Sequence, residues 1–225
     1  MDLRSPDPDY AASPRARRNL ALAVKLTGGF VILMWSVFLF EVLFDVGLKE
    51  LGLRPREGIG LLGLLTTPLL HANLGHVASN TLPLFVGGVA MLFLYPNSAL
   101  RALPVIYLGS AALAWMIARP NLHIGASGLV YGILAFVFVS GILRRDLRSV
   151  GVSLVIWFLY GSMLWGVLPV AERTSWELHA SGLFLGVILA LIFRHWDQPP
   201  LKRYAWEDES LDDDEPQGPD DWPVR

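Results

Sequence analysis

A chain of 225 residues with 53% hydrophobic and only 17% charged side chains falls short of the about 25% charge of ordinary soluble domains, which argues against a water-soluble globule. A formal net charge of −2 offers no electrostatic footprint for nucleic acid. The absence of cysteine excludes disulfides, thiolate zinc sites and cysteine nucleophiles.

Residues 1–22 open the chain as a polar, proline-containing segment expected to lie unstructured in the cytoplasm. Six apolar runs follow, at Val24–Val46, Val77–Leu94, Leu103–Ala118, Gly125–Leu143, Val150–Leu168 and Leu178–Phe193. Each is near the ~20 residues that a helix needs to cross ~30 Å of hydrocarbon. Almost no polar face separates them, so the expected fold is an all-α integral membrane bundle of six transmembrane helices over residues 23–195. Between the first two runs, the stretch from Gly58 to Leu65 is apolar but too short to span, and is expected at the outer interface. Residues 196–225 form a strongly acidic tail, with Glu207, Asp208, Glu209 and Asp212–Glu215, read as solvated and unstructured.

Basic residues set the orientation. An inside N-terminus puts Arg15, Arg17, Arg18, Lys25, Arg101, Arg144, Arg145, Arg148, Arg194, Lys202 and Arg203 in the cytoplasm. Only Lys49, Arg54, Arg56, Arg119 and Arg173 then face outward, so an N-in, C-in topology is expected. The first run is too long for a signal-peptide core and lacks a convincing cleavage site, and is expected to remain as a span.

Polar groups at the mouths of membrane helices are costly and point to function. Ser127, in Gly125-Ala-Ser-Gly128, opens the fourth run, where free helical N–H groups favour developing negative charge. Gly125 and Gly128 let the backbone bend and a substrate strand approach. Tyr131 lies one turn on, on the same face. His179 opens the sixth run, so a serine nucleophile served by a histidine base is the simplest chemistry for the pair. His76 and Asn80, four apart where the second span begins, share a face that must point into the bundle or toward water. They are candidate donors to an oxyanion, with the Ser127 amide, while His71 belongs to the preceding loop. Gly128/Gly132 and Gly182/Gly186 are small-xxx-small pairs that let the fourth and sixth spans touch, bringing Ser127 toward His179. Three histidines could suit zinc, but no HExxH pattern or acidic third ligand supports it, so no metal and no other cofactor is expected.

With these motifs in order, the sequence resembles the rhomboid family of intramembrane serine proteases. The likeness rests on His76-x-x-x-Asn80, the Gly-x-Ser-Gly around Ser127, Tyr131, and His179 followed by Gly182 and Gly186. His71 and the Gly87-Gly88 doublet also sit where many bacterial members have them. The resemblance implies a Ser127–His179 dyad without an acidic third member, and an oxyanion hole from His76, Asn80 and the Ser127 amide. It further implies single-pass membrane proteins as substrates, cut near the outer leaflet of a bacterial plasma membrane. Two departures concern the loops: the first loop has no Trp-Arg motif, and no acidic residue follows Gly88 closely. The competing class is a client-binding relative without catalysis, which usually lacks the serine or the histidine. A transporter is more distant, since the spans show neither repeat nor charged pathway.

Overall fold

The computed structural model describes residues 14–170 and 174–198. The acidic stretch expected to be a free tail, Arg173, and residues 1–13 lie outside them.

Helix α1 runs Pro14–Phe44. Residues 14–22, expected to be unstructured, are therefore helical. Pro14 stands where its missing N–H costs nothing, and the following Ala, Arg and Leu residues are strong helix formers. Its buried residues, Ala16, Asn19, Ala23, Thr27, Met34, Phe38 and Glu41, recur every three or four positions or in multiples of that step. They form one stripe that packs on α3, Leu74–Leu94, and leave the rest of the helix for lipid.

The first loop is built of short turns: 3-10 turns Leu48–Leu51 and Ile59–Leu62, the single-turn helix α2 at Gly63–Thr66, and a 3-10 turn Thr67–Leu69. Ile59, Leu61, Leu62 and Leu65 face outward, while Gly60 and Gly63 lie against the backbone of Arg54 and Leu53. This one-sided pattern suits the membrane interface. The loop is fastened to α4, Pro96–Ile117, without a Trp-Arg motif of its own. Arg56 donates to the carbonyl of Ala118 at 2.8 Å, and Trp115 of α4 donates to the carbonyl of Glu57 at 3.0 Å. Tyr107 adds a bond to the Leu65 carbonyl. The arginine comes from the loop and the tryptophan from the helix.

Helix α4 starts seven residues before the apolar run that marks it. Its polar first turn, Pro96-Asn-Ser, is capped from far away: the Asp197 carboxylate accepts from the amides of Asn97 (3.0 Å) and Ser98 (2.9 Å). Trp196 packs under the Arg101 guanidinium, 4.5 Å from its ring centroid. Residues 196–198, expected to belong to the free tail, are thus docked on the bundle.

Helix α5, Ser127–Arg144, is the centre, with twelve of its 18 residues buried. It packs against α3, α4, α6 (Leu147–Tyr160) and α7 (Trp176–Ile192). Lipid supplies no hydrophobic drive between spans, so close van der Waals packing does the work. At Gly182 and Gly186 an added Cβ would land on the carbonyls of Gly128 and Gly132, so α5 and α7 meet backbone to backbone. The Gly87-Gly88 doublet serves two neighbours: a Cβ at Gly87 would meet Leu134 of α5, and one at Gly88 would meet Thr27 of α1. The fifth apolar run, expected as one helix to Leu168, instead changes at Gly161 into a 3-10 segment, Gly161–Val167. Glycines at 161 and 166 weaken the α-helix there, and two carbonyls of the segment are used elsewhere.

The all-α membrane bundle expected from the sequence is the fold observed. Four helices, α1, α3, α4 and α5, and the segment Leu147–Val167 are each long and apolar enough to cross a membrane. The sixth, α7, is an apolar helix of 17 residues.

Candidate active site

Ser127 is the first residue of α5, buried at the end of a tightly held turn. Gly125 has a φ of 118°, a conformation open to glycine and strained for other residues. Its amide donates to the carbonyl of Thr67 at 2.9 Å, and the Ala126 amide donates to His71 Nε2 at 3.4 Å. The first loop and His71 together therefore set where α5 begins.

His71 is fully buried. Burial first, and the neighbouring His76 ring second, push its pKa down to about 4 against an opposing bond to the Leu69 carbonyl. The neutral ring donates through Nδ1 to Leu69 and keeps Nε2 as the acceptor for Ala126. His76 meets it edge-on, with ring centroids 5.0 Å apart.

His76 and Asn80 rise from the first turns of α3, which Asn73 caps by accepting from the His76 amide at 2.9 Å. The His76 Nδ1 accepts from the Ala72 amide at 3.4 Å, an arrangement that leaves the proton on Nε2. The same ring packs on Gly125, where a Cβ would lie 2.6 Å from Nε2. One N–H of Asn80 is spent on the His76 carbonyl at 3.0 Å, which leaves the other for a further acceptor.

His179 lies in the first turn of α7, stacked on Tyr131 with ring centroids 4.3 Å apart and planes 11° from parallel. Tyr131 stands one turn after Ser127, so the imidazole lies against the face of α5 that carries the serine. His179 Nδ1 donates to the Gly166 carbonyl at 2.8 Å, and the Tyr131 hydroxyl donates to the Met163 carbonyl at 2.6 Å. A proton on Nδ1 leaves Nε2 as the acceptor. Among the described residues Ser127 and His179 are not hydrogen-bonded to each other.

Sequence reasoning passed over several neighbours. Gly166 and Met163 act through backbone carbonyls, which carry no residue signature. Glu177, two residues before His179, was legible as an acid at the edge of the sixth apolar run. It is buried and ion-paired with Arg119 at 2.5 Å, and Arg119 also donates to the Thr174 carbonyl. His123 completes the tie, donating from Nε2 to the Arg119 carbonyl at 3.1 Å and accepting from Ser175 at 2.9 Å. This cluster joins the turn before α5 to the start of α7.

A bundle of apolar helices that encloses a serine, paired histidines and an asparagine defines a polytopic membrane protein with an internal polar site. A family model for the Rhomboid domain matches residues 60–196. Uncharacterized proteins of Mycobacterium tuberculosis and Mycobacterium bovis are 37% identical over 172 residues, 72% of this chain and 72% of theirs. One from Mycobacterium leprae is 30% identical over 201 residues, 83% of this chain and 79% of its own. The chain belongs to the rhomboid family, which includes intramembrane serine proteases.

Proposed function

We propose that the chain is a serine endopeptidase of the bacterial plasma membrane, with both termini in the cytoplasm, that cuts transmembrane segments of single-pass proteins near the outer leaflet. The observation that carries this reading is the state of His179: Nδ1 is engaged by the Gly166 carbonyl, so Nε2 is free to take a proton. Ser127 Oγ attacks the scissile carbonyl while His179 Nε2 takes its proton. The histidine then gives that proton to the leaving amine, and an acyl-enzyme remains on Ser127. The oxyanion accepts from the Ser127 amide at the head of α5, from His76 Nε2–H and from the second N–H of Asn80. Water, activated by His179, releases the acyl group. Gly125 admits the His76 ring and Gly128 the Leu178 side chain, with Gly182 and Gly186 holding α7 close to α5.

A helical substrate hides its carbonyls in its own hydrogen bonds, so helix-weakening Gly or Pro beside the scissile bond should promote cutting. The test is cleavage of a tagged single-span substrate co-expressed with the chain or with Ser127→Ala. Product should form with the unaltered chain alone, and a fluorophosphonate should label it but not Ser127→Ala. Equal product from both would refute the assignment.

A further inference from the structure

The Gly161–Val167 segment is attached to the bundle in an unusual way. The inner half of α6 is tightly seated, with Ser149, Ser153 and Ile156 buried and the Ser153 hydroxyl donating to the Phe138 carbonyl at 3.0 Å. Beyond Ile156 no residue of α6 or of the segment is buried, and Phe158 and Trp165 are 87% and 71% exposed. The segment's polar bonds to other elements are made by two of its carbonyls, Met163 to the Tyr131 hydroxyl and Gly166 to His179 Nδ1. Those two side chains are stacked on each other. The absence of a side chain at 166 is what permits the approach: a Cβ there would collide with the Tyr131 hydroxyl and lie 3.2 Å from His179 Nδ1.

We propose that Gly166 is a positioning residue for the dyad, with Met163 as its companion: the segment's two carbonyls fix the tautomer and the plane of His179, the task an acidic third member performs in a triad. This rests on the proteolytic reading above. The histidine is a competent base while the segment is seated, and loses its orientation when the segment lifts. A wrong tautomer in a Ser-His-Asp triad costs about 10⁴ in kcat, so even partial misplacement should be visible.

The first test needs no proteolysis. Full-length chain carrying Ser127→Ala, with ¹⁵N-labelled histidine, is placed in nanodiscs at pH 8, and the His179 signals are assigned by their loss in His179→Asn. The proton should sit on Nδ1, and Gly166→Ala should move part of it to Nε2. A proton on Nε2 in the parent, or an unchanged tautomer in Gly166→Ala, overturns the proposal. In the active chain Gly166→Ala should lower kcat about tenfold or more with KM within about twofold. Gly151→Ala, whose Cβ would meet nothing within 4 Å, is the control and should leave both unchanged. If Gly166→Ala does not fold, Tyr131→Phe keeps the stacked ring but removes the bond to Met163. It should lower kcat less steeply, and an unchanged kcat would overturn the role of Met163. An inactive parent chain would defeat the proteolytic reading, while the tautomer measurement would still decide the orientation.

Discussion

A methyl group added at Gly125 would lie 2.6 Å from the His76 ring and force an L-residue to a φ of 118°. Strain of this kind costs about 1–3 kcal/mol, and the clash adds to it. Gly125→Ala should therefore lower the thermal midpoint in detergent and abolish cleavage together. His71 makes a separate prediction about acid. Its folded-state pKa of about 4 lies below the about 6.5 of an unfolded chain, so the unfolded state binds the proton first. Its contribution to stability is full above about pH 6.5 and is lost as the pH falls toward 4. Thermal midpoints measured from pH 7.5 to 4.5 should decline, and His71→Asn should flatten the decline. Ser127, His179, Tyr131, His76 and Asn80 could be singled out as candidates, because polar residues in or beside apolar runs stand out. Thr67, Ala72, Met163 and Gly166 were not, since each contributes a main-chain atom that any residue carries.

Among elements, the α5–α7 contact carries the strictest size limit. Gly182→Ala drives a methyl into the Gly128 carbonyl, whereas a Cβ at Gly29 of α1 meets nothing within 4 Å. Overpacking of this sort typically costs about 1–3 kcal/mol, so Gly182→Ala should unfold well before Gly29→Ala in a detergent melt. Equal midpoints would mean that the two helices can slide apart freely. The glycine spacing announced this contact in the sequence. The true start of α4 was hidden, because Pro96, Asn97 and Ser98 look like a loop until the Asp197 carboxylate is brought to their amides. The break at Gly161 was hidden too: an uninterrupted apolar run cannot say where its backbone changes pitch.

For the whole molecule, the Arg119–Glu177 pair and its His123–Ser175 companion tie the outer ends of α4 and α7 to the turn that precedes α5. Hydrogen bonds to charged groups contribute about 1.5–3 kcal/mol each, toward the lower end here because Arg119 is partly exposed. Glu177→Ala should lower both the melting point and kcat, with Glu177→Gln retaining more of each. An unchanged melting point in Glu177→Ala would show the pair to be idle. Hydropathy alone foretold the order of the apolar helices: five segments are long enough to cross the hydrocarbon, and α7 is a shorter apolar helix. The loops that set the site could not be foretold that way, because their partners lie on other elements, 13 residues away for Gly166 and His179 and 58 for Arg119 and Glu177.

The Asp197 clasp has a bearing on how the chain is made. Asp197 is synthesised 100 residues after Asn97, whose amide it caps. Helix α4 must therefore leave the ribosome with a bare first turn and wait for α7 to be threaded into the bilayer. The same wait holds for α5, whose face remains uncovered until α7 arrives with His179. A nascent chain stalled before that point would hold Ser127 without its partner, so the enzyme proposed here could not attack its neighbours in the membrane until α7 had been made and inserted.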